Sequence, residues 1–305
     1  MTEPLHLNGL DGANPLGFLA ALGTLALCDR LSLHPRMAWE PYANSFRPRL
    51  CVDDPADLAD RITMVLKRDL DRDPPAWCAG TIIRRPATEY RRFAQDAAHR
   101  ASRSVRHEAD FATAFASDAA VEKKTGDVIP TRYSFANGQG GKVLLRDYRD
   151  LVRSLKPNHI DEAICQPWSN ADACKTFRWE PRDLRLYALR ADDPGASTVY
   201  STCGANALAF WGLTLLPSFP AAGGDLMSTG FSRLSDGQRT ADYFSWPIWL
   251  AAIGRDTTAA MLGRTEWQRS HVDPTVCAAL GVHAVFRCRR MNYQKSIYFS
   301  PATSA

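Results

Sequence analysis

The string Gly12-Ala13-Asn14-Pro15-Leu16-Gly17-Phe18 returns 192 residues later as Gly204-Ala205-Asn206-Ala207-Leu208-Ala209-Phe210. No other feature of the chain limits its folding as tightly. Asn favours the N-cap of a helix, and each copy runs into an apolar segment, Leu19 to Leu25 and Trp211 to Leu216. In the first copy a proline follows the Asn, where the first helical residue is expected. Both copies therefore predict a Gly turn feeding a buried helix, the second starting near Ala207 and stopping before Pro217. One explanation is that small residues simply let these helices pack closely. The other is that two equivalent helix N-termini face a common anion, which makes Asn14 and Asn206 candidate anion-site residues. Two copies so far apart do not indicate a solenoid.

A chain of 305 residues, 45% hydrophobic and 23% charged, is long enough to bury a full core in one large domain or two. No apolar run approaches the ~20 residues that cross a bilayer, and the start of the chain does not have the pattern of an export signal. The expectation is no membrane partner and a cytoplasmic setting. The eight cysteines form no CxxC pair and no zinc-type cluster, so they read as reduced thiols, with no metal and no cofactor expected. A net charge of +4 does not by itself imply nucleic acid. Arginine nevertheless far outnumbers lysine, and its guanidinium forks onto phosphate and stacks on bases.

Residues 5–10 read as a short strand, followed by the helix that runs to about Leu31. Prolines at 35, 41, 48 and 55 exclude a long helix but allow edge strands around Trp39 and from Arg49 to Val52. Asp57 to Leu70 has helical spacing, and a helix of twenty residues or more is expected from Ala87, with Tyr90, Phe93, Ala94, Ala97, Ala101 and Val105 on one stripe. Gly126 to Gly141 reads as a linker or mobile segment. Val143 to Leu155 is helical again. Phe177 to Trp179, Leu184 to Leu189 and Val199 to Thr202 read as strands, Tyr243 to Trp249 is a dense aromatic segment, and His283 to Arg289 with Lys295 to Phe299 predict a hairpin. Helices and mostly antiparallel strands without regular alternation indicate an α+β fold, with two similar halves each carrying a capped helix. The parts expected are 1–136, with an Arg-rich helix, and 137–305, ending in the basic aromatic hairpin, within one continuous domain or as two.

The densest charge lies between Arg84 and His107. Arg84, Arg85, Arg91, Arg92, Arg100, Arg103 and Arg106 face only Glu89 and Asp96, a net +5 with His neutral. On a helix, Arg85, Arg92, His99, Arg103 and Arg106 cluster opposite the apolar stripe, a ridge able to track phosphates. A solvated face with arginine stems covering apolar surface is the alternative. In the hairpin, Arg287, Arg289, Arg290 and Lys295 stand beside Tyr293 and Tyr298, a mixture suited to backbone contact plus base stacking. Asn137 to Val143 fails as a Walker loop, because Ala136 and Val143 stand where Gly and Ser or Thr are required. Its glycines with Lys142 still suit an anion-binding nest. No HExxH, GxSxG or paired His–Asp signature is present, so no catalytic residue is assigned, although a site assembled from distant residues leaves no such trace.

Gly9 to Leu16 running into Leu19 to Gly23, Tyr133 to Gly140, Phe177 to Pro181 with Tyr187 to Leu189, the second Gly-Ala-Asn segment, and Tyr243 to Trp249 together resemble a family of roughly 300-residue proteins of type I-G (formerly I-U) CRISPR loci. The resemblance spans nearly the whole chain, and none of these motifs is a catalytic signature. It implies a large-subunit-like component of an RNA-guided surveillance complex in antiviral defence. Such a subunit binds guide RNA or target DNA and the motif flanking the target, sits beside other complex subunits, and assists a separate helicase-nuclease. It transfers no residue role, so the basic and aromatic candidates rest on their own pattern. The alternatives are a protein–protein adaptor, with Trp246 and Trp249 as anchors, and a nuclease with a non-local site.

Overall fold

A two-residue strand, β1 (Leu5–His6), leads into the Gly12 turn and then into α1 (Pro15–Arg30). The computed structural model describes residues 3–71, 82–101, 106–135, 142–183, 200–235, 240–293 and 296–305. The first helix begins where the capping string predicts. Asn14 takes the N-cap in extended geometry, its Oδ1 accepts from the amides of Leu16 and Gly17, and Pro15 opens the helix. From Pro15 to Cys28 every residue of α1 is buried, and an apolar rod of this kind fits only the centre of a core.

The chain continues as β2 (Arg36–Tyr42), β3 (Ser45–Cys51), α2 (Leu58–Asp71), α3 (Ala87–Ala101), α4 (Arg106–Phe115), α5 (Lys142–Ser154) and α6 (Pro157–Cys165). It then forms β4 (Asp172–Ala173), β5 (Tyr200–Ser201), α7 (Cys203–Gly212), β6 (Ser218–Pro220), β7 (Leu226–Ser228), β8 (Phe231–Ser235) and β9 (Thr240–Trp249). The remaining elements are β10 (Ile253–Gly254), α8 (Arg255–Leu262), α9 (Pro274–Ala279), β11 (Val282–Tyr293), β12 (Ser296–Phe299) and β13 (Thr303–Ser304). Two antiparallel sheets frame the core, in the orders β1-β3-β2-β10 and β12-β11-β9-β8 with β13 also on β11. The fold is α+β, as the mixed pattern of helical and alternating segments requires.

The two halves of the chain meet where α1 lies antiparallel along α7, backbone against backbone. A Cβ on Gly23 would stand 1.7 Å from the Leu208 carbonyl oxygen, and one on Gly212 would stand 2.3 Å from that of Leu19. The sheets are fastened to the same helix by aromatic rings. Phe18 stacks on Trp39 of β2 at 5.7 Å and on Trp246 of β9 at 5.5 Å, and Trp249 meets both Phe18 and Trp39 edge-on. Trp246 and Trp249 donate their indole N–H groups to the carbonyls of Gly12 and Met37. The tryptophans expected as partner anchors are therefore inside, holding the sheets to the helix.

Several expectations are corrected. Helix α7 starts at Cys203, and Asn206 lies a full turn inside it with no capping role. Thr202 occupies the N-cap because Asp172 already accepts from the Cys203 amide through its carboxylate, so the end of the helix is satisfied from a neighbouring strand. The long helix from Ala87 is two helices, α3 and α4, packed on each other, with Val105 outside the described residues. Phe177 to Trp179 is an irregular turn with Arg178 at φ 63°, and its buried Phe177 and Trp179 face the core. The segment 126–135, expected as a linker, is packed. Tyr133 is buried with its hydroxyl donating to the Thr229 carbonyl, and Phe135 is buried against Phe299. Residues 136–141 and the strand expected over Leu184–Leu189 lie outside the described residues.

Gly23→Ala is expected to destabilise the protein by about 3 kcal/mol or more, because two packed backbones must separate to admit the methyl group. Gly263→Ala, whose Cβ meets nothing nearer than 3.5 Å, is expected to leave the thermal midpoint unchanged or slightly raised. Thermal unfolding followed by circular dichroism separates the two.

Candidate functional site

Four helix ends converge beside the crossing of α1 and α7. The last turn of α1 contributes Asp29 and Arg30, the last turn of α2 Arg68 and Asp69, the start of α4 Arg106, His107 and Asp110, and the start of α8 Arg255. Together with Trp211 of α7 they line a cleft of about 440 Å³. The placement follows helix electrostatics in part, since Arg30 and Arg68 sit at C-terminal ends where the backbone dipole favours cations.

The charges divide into two kinds. Arg30 grips Asp69 with both guanidinium nitrogens, and the Asp69 side chain is 1% exposed. Arg255, 6% exposed, binds Asp110 at 2.6 Å and stands 3.8 Å from Asp29. These pairs are fixed, because removing either partner strands a charge away from water. Burial pushes the Asp110 carboxyl above its ordinary range, against the pull of Arg255 and Arg106. At the mouth the situation differs. Arg106 is 55% exposed and its nearest carboxylate, Asp256 at 2.8 Å, is 76% exposed, a pair contributing at most ~1 kcal/mol. Arg68 is exposed and makes no ion pair with a described residue. The wall is aromatic. Arg30 lies 5.0 Å over the Trp211 ring, and His107 stacks on the same indole at 5.4 Å.

Among the described residues, only Arg106 of those expected from sequence lines this cleft. The rest of the Arg-rich segment is largely tied to carboxylates of α4 and the loop after it. Arg84 pairs with Glu122, Arg91 with Asp118, and Arg100 with the fully buried Glu108. Arg85 donates to the Ile82 carbonyl and covers Phe93. Arg92 is exposed and forms no ion pair with a described residue, and Arg103 lies outside the described residues. The ridge is thus mostly a set of clasps between α3 and its surroundings, with Arg92 on its solvent side.

The terminal hairpin is divided in the same way. Arg287 donates to Ser245 Oγ and to the carbonyls of Trp267, Arg269 and Ser270, and burial holds its guanidinium below the usual value. Arg290 is enclosed over Phe135, donates to the Arg132 carbonyl, and is lowered by burial to about 10. Tyr298 is buried beneath the Arg178 guanidinium, whereas Arg289 stands exposed. Tyr293 and Lys142 have described backbones in β11 and α5 but no described side chains, and Lys295 lies outside the described residues. Asn206 is buried, accepting from the Phe177 amide and donating to Ser201 Oγ and the Thr202 carbonyl. Asn14 donates its Nδ2–H to Glu180 Oε2 at 2.8 Å, so an acid of the chain itself meets this helix N-terminus.

Sequence pattern does not single out Arg30, Arg68, Arg255 or Trp211. A local trace exists in three Arg/Asp neighbours at helix ends, Asp29-Arg30, Arg68-Asp69 and Arg255-Asp256. Each looks like an ordinary solvated dipeptide until the ends are brought together. Among the described residues no group of three or more His, Cys, Asp and Glu is arranged to hold a metal, and no helix is long and apolar enough to cross a membrane.

Arg30→Ala is expected to cost about 3–5 kcal/mol by stranding Asp69, and Arg91→Ala at most ~1 kcal/mol, as read from urea midpoints. Asn14→Ala removes a helix cap and a donor to buried Glu180, an expected loss of about 2–4 kcal/mol. Burial raises the Glu180 carboxyl in the folded state and Asn14 opposes that rise. The folded protein therefore holds the Glu180 proton more tightly than the unfolded chain, and stability falls as pH rises through the folded value. Without Asn14 the folded value rises further, so the loss caused by Asn14→Ala should be larger at about pH 7 than at about pH 4. Equal losses at both pH values would remove Glu180 from the explanation. No protein-family model matches this sequence, and no curated protein matches it at a significant level.

Proposed function

We propose that this chain is a non-catalytic subunit of a type I RNA-guided surveillance complex in antiviral defence, holding guide RNA or target DNA by the phosphate backbone. In such a complex base pairing reads sequence while protein holds backbone and flanking duplex. The resemblance of the Gly-Ala-Asn segments and of the Tyr243–Trp249 segment to the type I-G family supplies the system, its neighbouring subunits and its helicase-nuclease. The observation that carries the nucleic-acid part is the mouth of the cleft. Arg68 has no carboxylate partner among the described residues, and Arg106 is bound most closely by exposed Asp256, which a phosphate can displace at little cost, while its second carboxylate, Asp110 at 3.5 Å, keeps Arg255 as a partner. Arg92 and Arg289 add exposed cations elsewhere on the surface.

Two features favour this reading over its alternatives. The carboxylates lining the cleft are each within ion-pair distance of an arginine, which leaves them poorly suited to act as bases. Trp246 and Trp249, the anchors an adaptor would present, are consumed by the core.

The test is an anisotropy titration of single-stranded RNA and duplex DNA over a salt series, comparing the wild-type protein with the Arg68→Ala/Arg92→Ala/Arg106→Ala variant. Affinity should fall. The dependence of log K on log salt should flatten by about 0.9 on duplex, or about 0.7 on single strands, for each phosphate that the variant leaves unneutralised. A variant that keeps the wild-type affinity and slope with an unchanged thermal midpoint, or a wild-type protein that binds neither polymer, overturns the proposal.

A further inference from the structure

The floor and the mouth of the cleft differ in what they leave unspent. Trp211, Thr214 and Ala26 line it although each is buried, so they form its floor. Thr214 donates its hydroxyl proton to the Trp211 carbonyl at 2.7 Å. Arg30 lies over the Trp211 ring with both terminal nitrogens on Asp69, and Arg255 is committed to Asp110. The cleft therefore ends on packed groups that already have partners. Its volume of about 440 Å³ falls within the range, roughly 300–1,000 Å³, of pockets that enclose one small ligand. A floored pocket of that size suits a ligand that ends inside it better than a backbone that runs through.

The charge at the mouth narrows the chemical class. Arg68 has no carboxylate partner among the described residues, and Arg106 is held most closely by Asp256, which is 76% exposed. Two guanidiniums are thus able to turn to a ligand. A bridging phosphodiester offers them a single negative charge. A terminal phosphomonoester carries about −1.5 to −2 near neutral pH and presents three acceptor oxygens, enough for two guanidinium forks to share.

We propose that the cleft captures one nucleotide by a terminal phosphomonoester, carried on a free mononucleotide or on the phosphorylated end of an RNA strand. The nucleoside part of this assignment rests on the nucleic-acid reading above, and the phosphate part rests on the cleft alone. The phosphate sits between Arg68 and Arg106 and displaces Asp256, which stays in water and retains Arg255 at 3.5 Å. Arg30 and Arg255 keep Asp69 and Asp110 and shape the wall. Asp256 is then a competitor of the ligand, and removing its charge should help binding.

The experiment titrates the full chain calorimetrically with 5′-AMP, 3′-AMP and 3′,5′-cyclic AMP, which share a nucleoside and differ in phosphate charge. At least one monoester should bind at a single site about tenfold or more tighter than the cyclic diester. Arg68→Ala and Arg106→Ala, both at exposed side chains, should each weaken that binding about tenfold. Asp256→Asn should strengthen it, a gain that a misfolded protein cannot produce. Anisotropy with one labelled RNA, phosphorylated at either end or at neither, then separates the two sources. A preference for a phosphorylated end that the monoester competes away supports the strand end, and monoester binding without such a preference supports the free nucleotide. Equal binding of monoester and cyclic diester, no binding of either, or monoester affinity unmoved in both arginine variants overturns the proposal. RNA that binds equally well with hydroxyl ends while no monoester binds overturns the proposal and leaves the nucleic-acid reading standing. A bound monoester with no binding of RNA or duplex DNA overturns that reading alone.

Discussion

Backbone touches backbone where α1 crosses α7, and the rest of the molecule is arranged around that contact. Gly23 and Gly212 leave no room for a side chain, so the two helices approach until carbonyl oxygens fill the space a methyl group would need. Close approach multiplies weak dispersion contacts along both helices, and it fixes the distance at which everything else must pack. Phe18 then reaches Trp39 and Trp246 in the two sheets, and Phe210 on the other helix stacks on Tyr148 of α5 at 3.7 Å. The cleft lies beside the same contact, because Arg30 ends one helix and Trp211 belongs to the other.

A chain rich in arginine spends much of that charge on itself. Asp69, Glu108 and Asp110 lie largely out of water, and each is matched by a guanidinium whose removal would strand it. Such arginines are poor phosphate ligands, since recruiting them exposes a worse problem inside the protein. The exposed pairs behave differently, contributing little and exchanging readily. The distinction between clasp and contact therefore turns on carboxylate burial: Arg100 closes on fully buried Glu108, whereas Arg106, only six residues away and 55% exposed, binds exposed Asp256 at 2.8 Å and shares Asp110, at 3.5 Å, with Arg255.

Much of the scaffold is legible in the residues themselves. The Asn14-Pro15 cap stands where expected and strands run through Trp39 and Arg49, because local capping and alternation decide them, whereas the closing hairpin forms further along the chain, between Arg290–Tyr293 and Ser296–Phe299, while 282–289 pairs with β9. Capping preference misplaces Asn206 because a strand neighbour, Asp172, satisfies the helix start from outside the local string. The segment 126–135 reads as mobile from its glycine and proline, yet Tyr133 and Phe135 bury rings against residues far along the chain, Phe231 and Phe299. The cleft is invisible in sequence for the same reason. Its arginines come from four helix ends, and no period or spacing in one segment predicts which ends will meet.

Native-state hydrogen exchange over α1 and α7 probes the glycine crossing most directly, because elements that depend on one another open together. Amides in the middle of both helices should exchange last and with a common opening free energy equal to that of global unfolding, while β4, β5 and the exposed turns exchange earlier. If α7 opens at a distinctly lower free energy while α1 stays protected, the crossing is not what holds the two halves of the chain together.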